Sequence, residues 1–459
     1  MAEQLIKIGV KCVVAAGWAV DDDSAATFAR TFYSVLLRGG RFINAVAEAR
    51  EAAYNPANNT WAAYQCYGDP DWVLRRDRSD ANAPSAKSED EFAGIASASA
   101  LKLALETIVV QTRFQGYKPE SQLERVRVLE QRFGGRWGGI GEIADAFGAA
   151  FVAGRDLEGG IRWYERAVAA DDGTAPMKAA EQLVNLRIRL ATETVARAEK
   201  ERDATAARLK EAGRGRRTAD RKGRAAARRA LAAAERGLKK SLTAARSEIR
   251  DAIAMLEKLG EVQPTMERES LRGSAYKRLA LVAAAAGRAA EERGAITAMK
   301  RHYERAAAIG RDTQSPNLFY PGLNYLAAEL ALNLGRRGWK GIDRSIAEAT
   351  SRSLDARTAS DPDFWSVVGQ VELELYSALA EGRKLAAVRE ILERGYGDLY
   401  KRVAVAWMWA SAYDTAAFVL RRHAGRAPAR EKKAATALLD RLATFADTAA
   451  RASAPAASR

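Results

Sequence analysis

Thiol chemistry is the first possibility this sequence raises. It holds two cysteines, Cys12 and Cys66, and two histidines, His302 and His423. A cysteine nucleophile works as a thiolate, and it needs a neighbouring base or positive field to become one. Cys12 sits within one apolar run and Cys66 within another, while both histidines lie hundreds of residues downstream in helical segments. No Cys–His pair is readable, so neither thiol is expected to catalyse. Two cysteines are too few for a disulfide framework or a cysteine-built zinc site. Reduced thiols fit a cytoplasmic protein. Asp21, Asp22 and Asp23 suit either a metal or a helix start, and a helix opening near Ser24 makes capping the reading. The glycine-rich stretch from Phe133 to Gly141 lacks the Gly-Lys-Ser/Thr ending of a phosphate loop and follows no strand, so it reads as an inter-helix turn. Nothing in the sequence calls for a cofactor or a metal.

The second chemical signal is charge. The formal net charge of the 459 residues is +15. Between Arg197 and Arg250 stand 18 Lys/Arg against 7 Asp/Glu, so most of the excess sits in one segment. Clustered arginine neutralises phosphates or acidic partners. The candidate contacts are Arg214, Arg216, Arg217, Arg221 and Lys222, around the break at Gly213–Arg217. No aromatic residue is interleaved, so stacking on bases is unsupported. A solvated insertion is the plainer reading of residues 196–250, which are expected to form two long charged helices in a hairpin. Its partner would be nucleic acid or an acidic protein.

These features need a frame. Alanine and arginine are heavily used, 48% of the residues are apolar and only 11 are proline, which reads as a soluble, mostly helical protein. No apolar run reaches the ~20 residues of a membrane helix, so no membrane partner is expected. Val10–Val14 is rich in β-branched residues and lies between Gly9 and Gly17. It reads as a strand buried on both faces of a parallel sheet, a better account of Cys12–Val20 than a signal-peptide core. Phe28, Phe32 and Leu36 then stack at i, i+4, i+8 on a helix ended by Gly39-Gly40. A second helix runs from about Phe42 to Tyr54, and Trp61–Tyr67 reads as a final strand. Two strands in eighty residues cannot complete such a sheet.

The segment Gly9-Val10-Lys11-Cys12-Val13-Val14-Ala15-Ala16-Gly17-Trp18-Ala19-Val20-Asp21-Asp22 resembles the G-(A/V)-x-x-V-V-A-x-x-W-x-V-x-D segment of CHAT domains. Phe32-Tyr33 with Leu36, Ala45-Val46 through Ala49-Arg50, and Trp61-Ala62-Ala63-Tyr64 with Tyr67-Gly68-Asp69-Pro70 are similar to later pieces of that family, in order and at its usual spacing. Trp18, Asp21, Asp22, Trp61, Gly68, Asp69 and Pro70 are the structural motif residues the resemblance marks. It implies a caspase-like fold, related to separases, over residues 1–78. In that family a His–Cys dyad lies N-terminal to the matched segment. The sequence is therefore expected to be either the C-terminal part of a longer CHAT cysteine endopeptidase or a remnant without the catalytic half.

The remainder is expected to be a helical-repeat solenoid. Residues 79–100 read as a linker, 101–195 and 251–443 as tetratricopeptide-like helices, and 444–459 as a disordered tail. Tyr164-Glu165-Arg166-Ala167 and Tyr303-Glu304-Arg305-Ala306 resemble each other and the second helix of a tetratricopeptide repeat. They lie 139 residues apart, close to four ~34-residue periods. Ala179, Leu183, Leu186 and Leu190 mark an amphipathic helix. Asn317–Leu326 resembles the Y-x-G-I-N-A-A element of TRAF-binding repeat regions, and Asp363-Phe364-Trp365, Glu372, Glu374, Trp407, Trp409 and Tyr413-Asp414 fit its later helices. Phe319, Tyr320 and Tyr325 are candidates for an aromatic surface that takes a peptide, the alternative being solenoid core. The expected function is a non-catalytic protein-binding scaffold, the recognition part of a CHAT–tetratricopeptide protein.

Overall fold

A computed structural model describes residues 10–56, 58–74, 91–114, 117–212 and 220–453. The fold is mainly α, with seventeen helices and one two-stranded sheet among those residues. Contacts divide the chain into two compact units, Met1–Leu186 and Arg187–Arg459.

The first unit opens with β1 (Cys12–Ala16), α1 (Asp22–Leu37), α2 (Phe42–Ala52), a helical turn α3 (Thr60–Ala63) and β2 (Tyr64–Gly68). The aspartate run begins α1: Asp21 caps it by accepting the Ser24 N–H, and Asp22 and Asp23 occupy the first turn near the positive end of the helix dipole. Phe28, Phe32 and Leu36 are buried as their spacing predicts, and Gly39, at φ 85°, ends the helix.

The sheet differs from expectation. β1 and β2 pair antiparallel, with Cys12 opposite Gly68 and Ala16 opposite Tyr64. The intervening helices return the chain beside β1 in the opposite sense. Both pack on one face, where Cys12, Val14, Tyr64 and Cys66 meet the Phe28–Phe32–Phe42 cluster. The other face carries Tyr67, 41% exposed, so the strand is not buried on both sides. Trp61–Ala63, expected as strand, form the turn α3 instead.

Four helices follow: α4 (Ala98–Phe114), α5 (Pro119–Trp137), α6 (Gly141–Ala153) and α7 (Leu157–Ala169). Most of the expected linker lies outside the described residues, but Phe92 is buried and α4 already starts at Ala98. The glycine-rich stretch is only partly a turn. Helix α5 continues through Gly134 and Gly135 to Trp137, and at its C-cap, Gly138, a Cβ would stand 2.7 Å from the Trp163 ring.

Two long helices come next, α8 (Met177–Ala212) and α9 (Asp220–Val262), then α10 (Met266–Ala285), α11 (Ala289–Asp312), α12 (Phe319–Asn333), α13 (Arg344–Ser360), α14 (Phe364–Ala380), α15 (Leu385–Arg402), α16 (Ala406–Ala424) and α17 (Ala429–Ser453). From α10 onward they associate as consecutive pairs, and α12 also packs on α14 and α16. Three helices separate the two Tyr-Glu-Arg-Ala helices, α7 and α11, so four intervening repeat periods are not present. The expected disordered tail is helical as far as Ser453, because Phe445 and Ala449 extend the buried stripe of Leu438 and Leu442. Residues 454–459 lie outside the described residues.

Candidate functional site

In the first unit the two thiols share one face of the antiparallel pair, two residues out of direct register, with Cys12 opposite Gly68 and Cys66 opposite Val14. Burial pushes the Cys12 thiol above its ordinary range, and the nearby Cys66 adds to the effect. Burial also raises Cys66, against a smaller opposing pull from Arg50. Both therefore stand as neutral thiols, which is the packing state of a small apolar side chain.

The motif residues hold this segment together. Trp18 Nε1 donates to Asn59 Oδ1 at 3.1 Å, and the Asp21 backbone N–H donates to Thr60 Oγ1 at 2.9 Å. These bonds tie the end of β1 to the turn that carries Trp61. The Ser24 backbone and hydroxyl hold the Asp21 carboxyl below its ordinary range. Gly68 is needed for close approach, since a Cβ there would stand 2.8 Å from the Lys11 carbonyl oxygen. Asp69 Oδ2 accepts from Gln111 at 2.8 Å, and Gln111 Oε1 accepts from Arg125 at 2.6 Å, so the Gly-Asp-Pro corner is pinned to α4 and α5. The Pro70 carbonyl receives the Ile43 N–H at 3.0 Å. Among the described residues no group of three or more His, Cys, Asp or Glu is arranged to hold a metal ion.

In the second unit His302 is buried, with Nδ1 2.8 Å from Glu269 Oε2 and its ring stacked on Tyr276. Glu269 also accepts from Arg272 at 2.7 Å. Arg272 in turn donates to the carbonyls of Leu256 and Glu257 near the C-terminal end of α9. Burial alone would raise the Glu269 carboxyl, but the His302 and Arg272 interactions hold it below its ordinary range. This is a helix-joining network. Burial pushes His423 down, and its ring lies 3.8 Å from Glu431.

The predicted partner-binding residues separate. Arg214, Arg216 and Arg217 lie outside the described residues. Arg221 and Lys222 fall within α9, with side chains outside the description. Phe319 and Tyr325 are 5% and 3% exposed, so they are core and cannot face a partner; α12 is packed from several sides, which explains the correction. Tyr320 is 46% exposed.

Sequence reasoning missed a different cluster. Lys277 on α10 donates to Asn324 Oδ1 on α12 at 3.3 Å. Its ammonium lies 5.4 Å over the Phe418 ring of α16. Glu372 on α14 is 6% exposed and acts on Lys277 electrostatically, as does Asp414 on α16. Arg278 reaches Asp414 at 3.9 Å. Burial pushes Glu372 up to about 7. Burial pushes Lys277 down to about 8. The first helices of four successive pairs each contribute one member: Lys277, Asn324, Glu372 and Asp414. Asn324, Glu372 and Asp414 were visible as parts of a family-like pattern, but Lys277 carried no signal. Such a cluster can bind polar or charged groups of a ligand, or hold a proton near neutrality.

The CHAT domain family model matches residues 1–69, about 15% of the chain. That match supports the resemblance drawn from Trp18, Asp21, Trp61 and Gly68-Asp69. A comparison with curated proteins finds no match. Among the described residues no helix is long and apolar enough to cross a membrane.

Proposed function

We propose that this chain is a non-catalytic protein–protein interaction scaffold, in which tetratricopeptide-like helix pairs recognise a protein partner beside a CHAT-type segment. The observation that carries the reading is the line of Lys277, Asn324, Glu372 and Asp414, one from each first helix of four successive pairs, at intervals of 47, 48 and 42 residues; half-buried Lys277 and exposed Asp414 are the members that can meet a partner, and buried Asn324 and Glu372 support Lys277 from inside. Repeat proteins recognise ligands through surfaces assembled from equivalent helices. Both thiols are raised by burial, which favours binding over thiolate chemistry. A partner captured by the wild-type chain should be lost with Lys277→Met or Asp414→Asn while the circular dichroism spectrum is retained. Partner binding unchanged in both variants would sink this site.

A second reading, a cysteine endopeptidase, draws on the CHAT match at residues 1–69. Its His–Cys dyad would come from residues other than Cys12 and Cys66. Peptide turnover by this chain that disappears in Cys12→Ala or Cys66→Ala would overturn the scaffold assignment.

A further inference from the structure

One face of α9 carries a run of cations that the scaffold reading leaves unused. From Arg221 to Arg246 the sequence has nine Lys/Arg and a single acid, Glu235. Six of these, Arg224, Arg228, Arg229, Arg236, Lys239 and Lys240, are exposed. The ion pairs found on α9 lie further along the helix: Arg246 and Arg250 share Glu291, at 2.7 and 2.8 Å, and Glu248 meets Arg187 at 3.6 Å. The six exposed cations form no ion pair among the described residues.

Their placement is ordered. At ~3.6 residues per turn the six fall within an arc of about 160°, over a rise of about 24 Å. The buried Ala234, Ala245 and Ile249 lie outside that arc and face the protein. Between the cations the arc holds Ala225 and Ala232, and Glu235, near the Arg224 edge, is its one acid. The helix backbone can therefore approach a ligand closely. A depression of about 460 Å³ is lined by Arg236, Lys239, Lys240, Thr243 and Ala244.

The chemistry of the stripe selects its occupant. Six like charges on one rigid helix repel one another and are relieved by a polyanion. Among the described residues no large apolar side chain is exposed between Met177 and Val262, so the face has nothing to insert into a bilayer or to seat an apolar peptide. Helix α9 contains no aromatic residue, so it cannot stack unpaired bases. Four of the six are arginines, whose planar fork matches phosphate oxygens. A duplex presents a rigid line of charge, about one per 1.7 Å of axis. We propose that this face of α9 binds the phosphate backbone of double-stranded nucleic acid without reading its sequence.

The test uses the full chain and a fluorescein-labelled 20-base-pair DNA duplex, followed by anisotropy from 50 to 300 mM KCl. Binding should weaken steeply with salt, the logarithm of affinity falling by about 0.9 per tenfold change in salt for each phosphate contacted, or about 5 for six contacts. The triple variant Arg228→Gln, Arg229→Gln, Arg236→Gln should bind at least tenfold more weakly at 100 mM salt, with a slope shallower by about 2.7. Arg352→Gln, a control on α13, should leave both quantities unchanged. If the triple variant does not fold, Arg224→Gln, Lys239→Gln, Lys240→Gln takes its place. The proposal fails if the duplex does not bind at 50 mM salt, or if the folded variant keeps the wild-type slope. It also fails if polyglutamate or phosphatidylserine vesicles bind more tightly than the duplex, which would assign the face to an acidic protein or a membrane.

Discussion

The ring of Tyr303 rests against Gly273, so close that a Cβ on the glycine would stand 2.7 Å from the ring carbons. The same relationship holds between Tyr164 and Gly148, where the distance would be 2.9 Å. In each case the first helix of a pair supplies the glycine and the second supplies the tyrosine of the Tyr-Glu-Arg-Ala run. Both tyrosines are buried, so neither ring can swing out of the way.

Gly273→Ala should therefore destabilise the chain even though alanine is the better helix former. Overpacking costs about 1–3 kcal/mol and the helix propensity gain returns about 1 kcal/mol, leaving a net loss of up to about 2 kcal/mol. Gly294, also helical, has open space around it, so Gly294→Ala should stabilise by about 0.5–1 kcal/mol. Urea denaturation of the two variants checks the contrast. Equal effects of the same sign would show that the ring contact is unimportant.

Buried Glu372 and half-buried Lys277 predict a signed pH dependence. Burial raises Glu372 to about 7. From about pH 4.5 to 7 the native state holds a proton that the unfolded chain has released, so this group lowers stability as pH rises. Burial lowers Lys277 to about 8. From about pH 8 to 10.5 the unfolded chain holds the extra proton, so stability gains as pH rises. Glu372→Gln should remove the fall below pH 7, and Lys277→Met the gain above pH 8. Urea midpoints measured across that range, each as a difference from wild type, test both signs; flat differences would contradict the pair's burial.

Iodoacetamide should label Cys12 and Cys66 more slowly than a free thiol at pH 8, with the rate climbing as pH passes 9. Burial holds both thiols above their ordinary range, and only the thiolate reacts. Mass spectrometry of the two peptides gives the rates. Rapid labelling of either at pH 7 would point to an activated nucleophile.

Phe445 stacks on Tyr400, with ring centroids 4.4 Å apart, and meets Trp409 at 4.9 Å. Phe445→Ala should cost about 3–4 kcal/mol, as for other large-to-small core changes, and lower the thermal midpoint. A variant as stable as wild type would return this segment to the status of a dispensable tail.

The local parts of this architecture were legible in the sequence. Phe28, Phe32 and Leu36 gave α1 by their spacing, and Asp21 gave its cap. Ala179, Leu183 and Leu186 marked α8 in the same way. Strand direction was not legible, because a five-residue apolar run carries no information about which neighbour it meets. The glycines after Phe133 suggested a turn because composition is local, whereas the ring that crowds Gly138, Trp163, lies in another helix. The helix after Ala443 was hidden by alanine and serine, although Leu438, Leu442, Phe445 and Ala449 follow a helical period. The Lys277–Glu372 relationship spans 95 positions, and only the packing of α10, α12, α14 and α16 brings its members together.

Arg422 on α16 donates to Glu292 on α11 across 130 residues of chain, at 2.5 Å. Together with the packing of α12 on α16, this links the last helix pair to the first. A linear repeat array unravels from its ends, each repeat depending only on its neighbours. Here the ends are fastened to one another, so the second unit gains its cooperativity from a long-range closure. It is expected to melt in a single step and to fold slowly, since that closure needs the whole intervening chain in place.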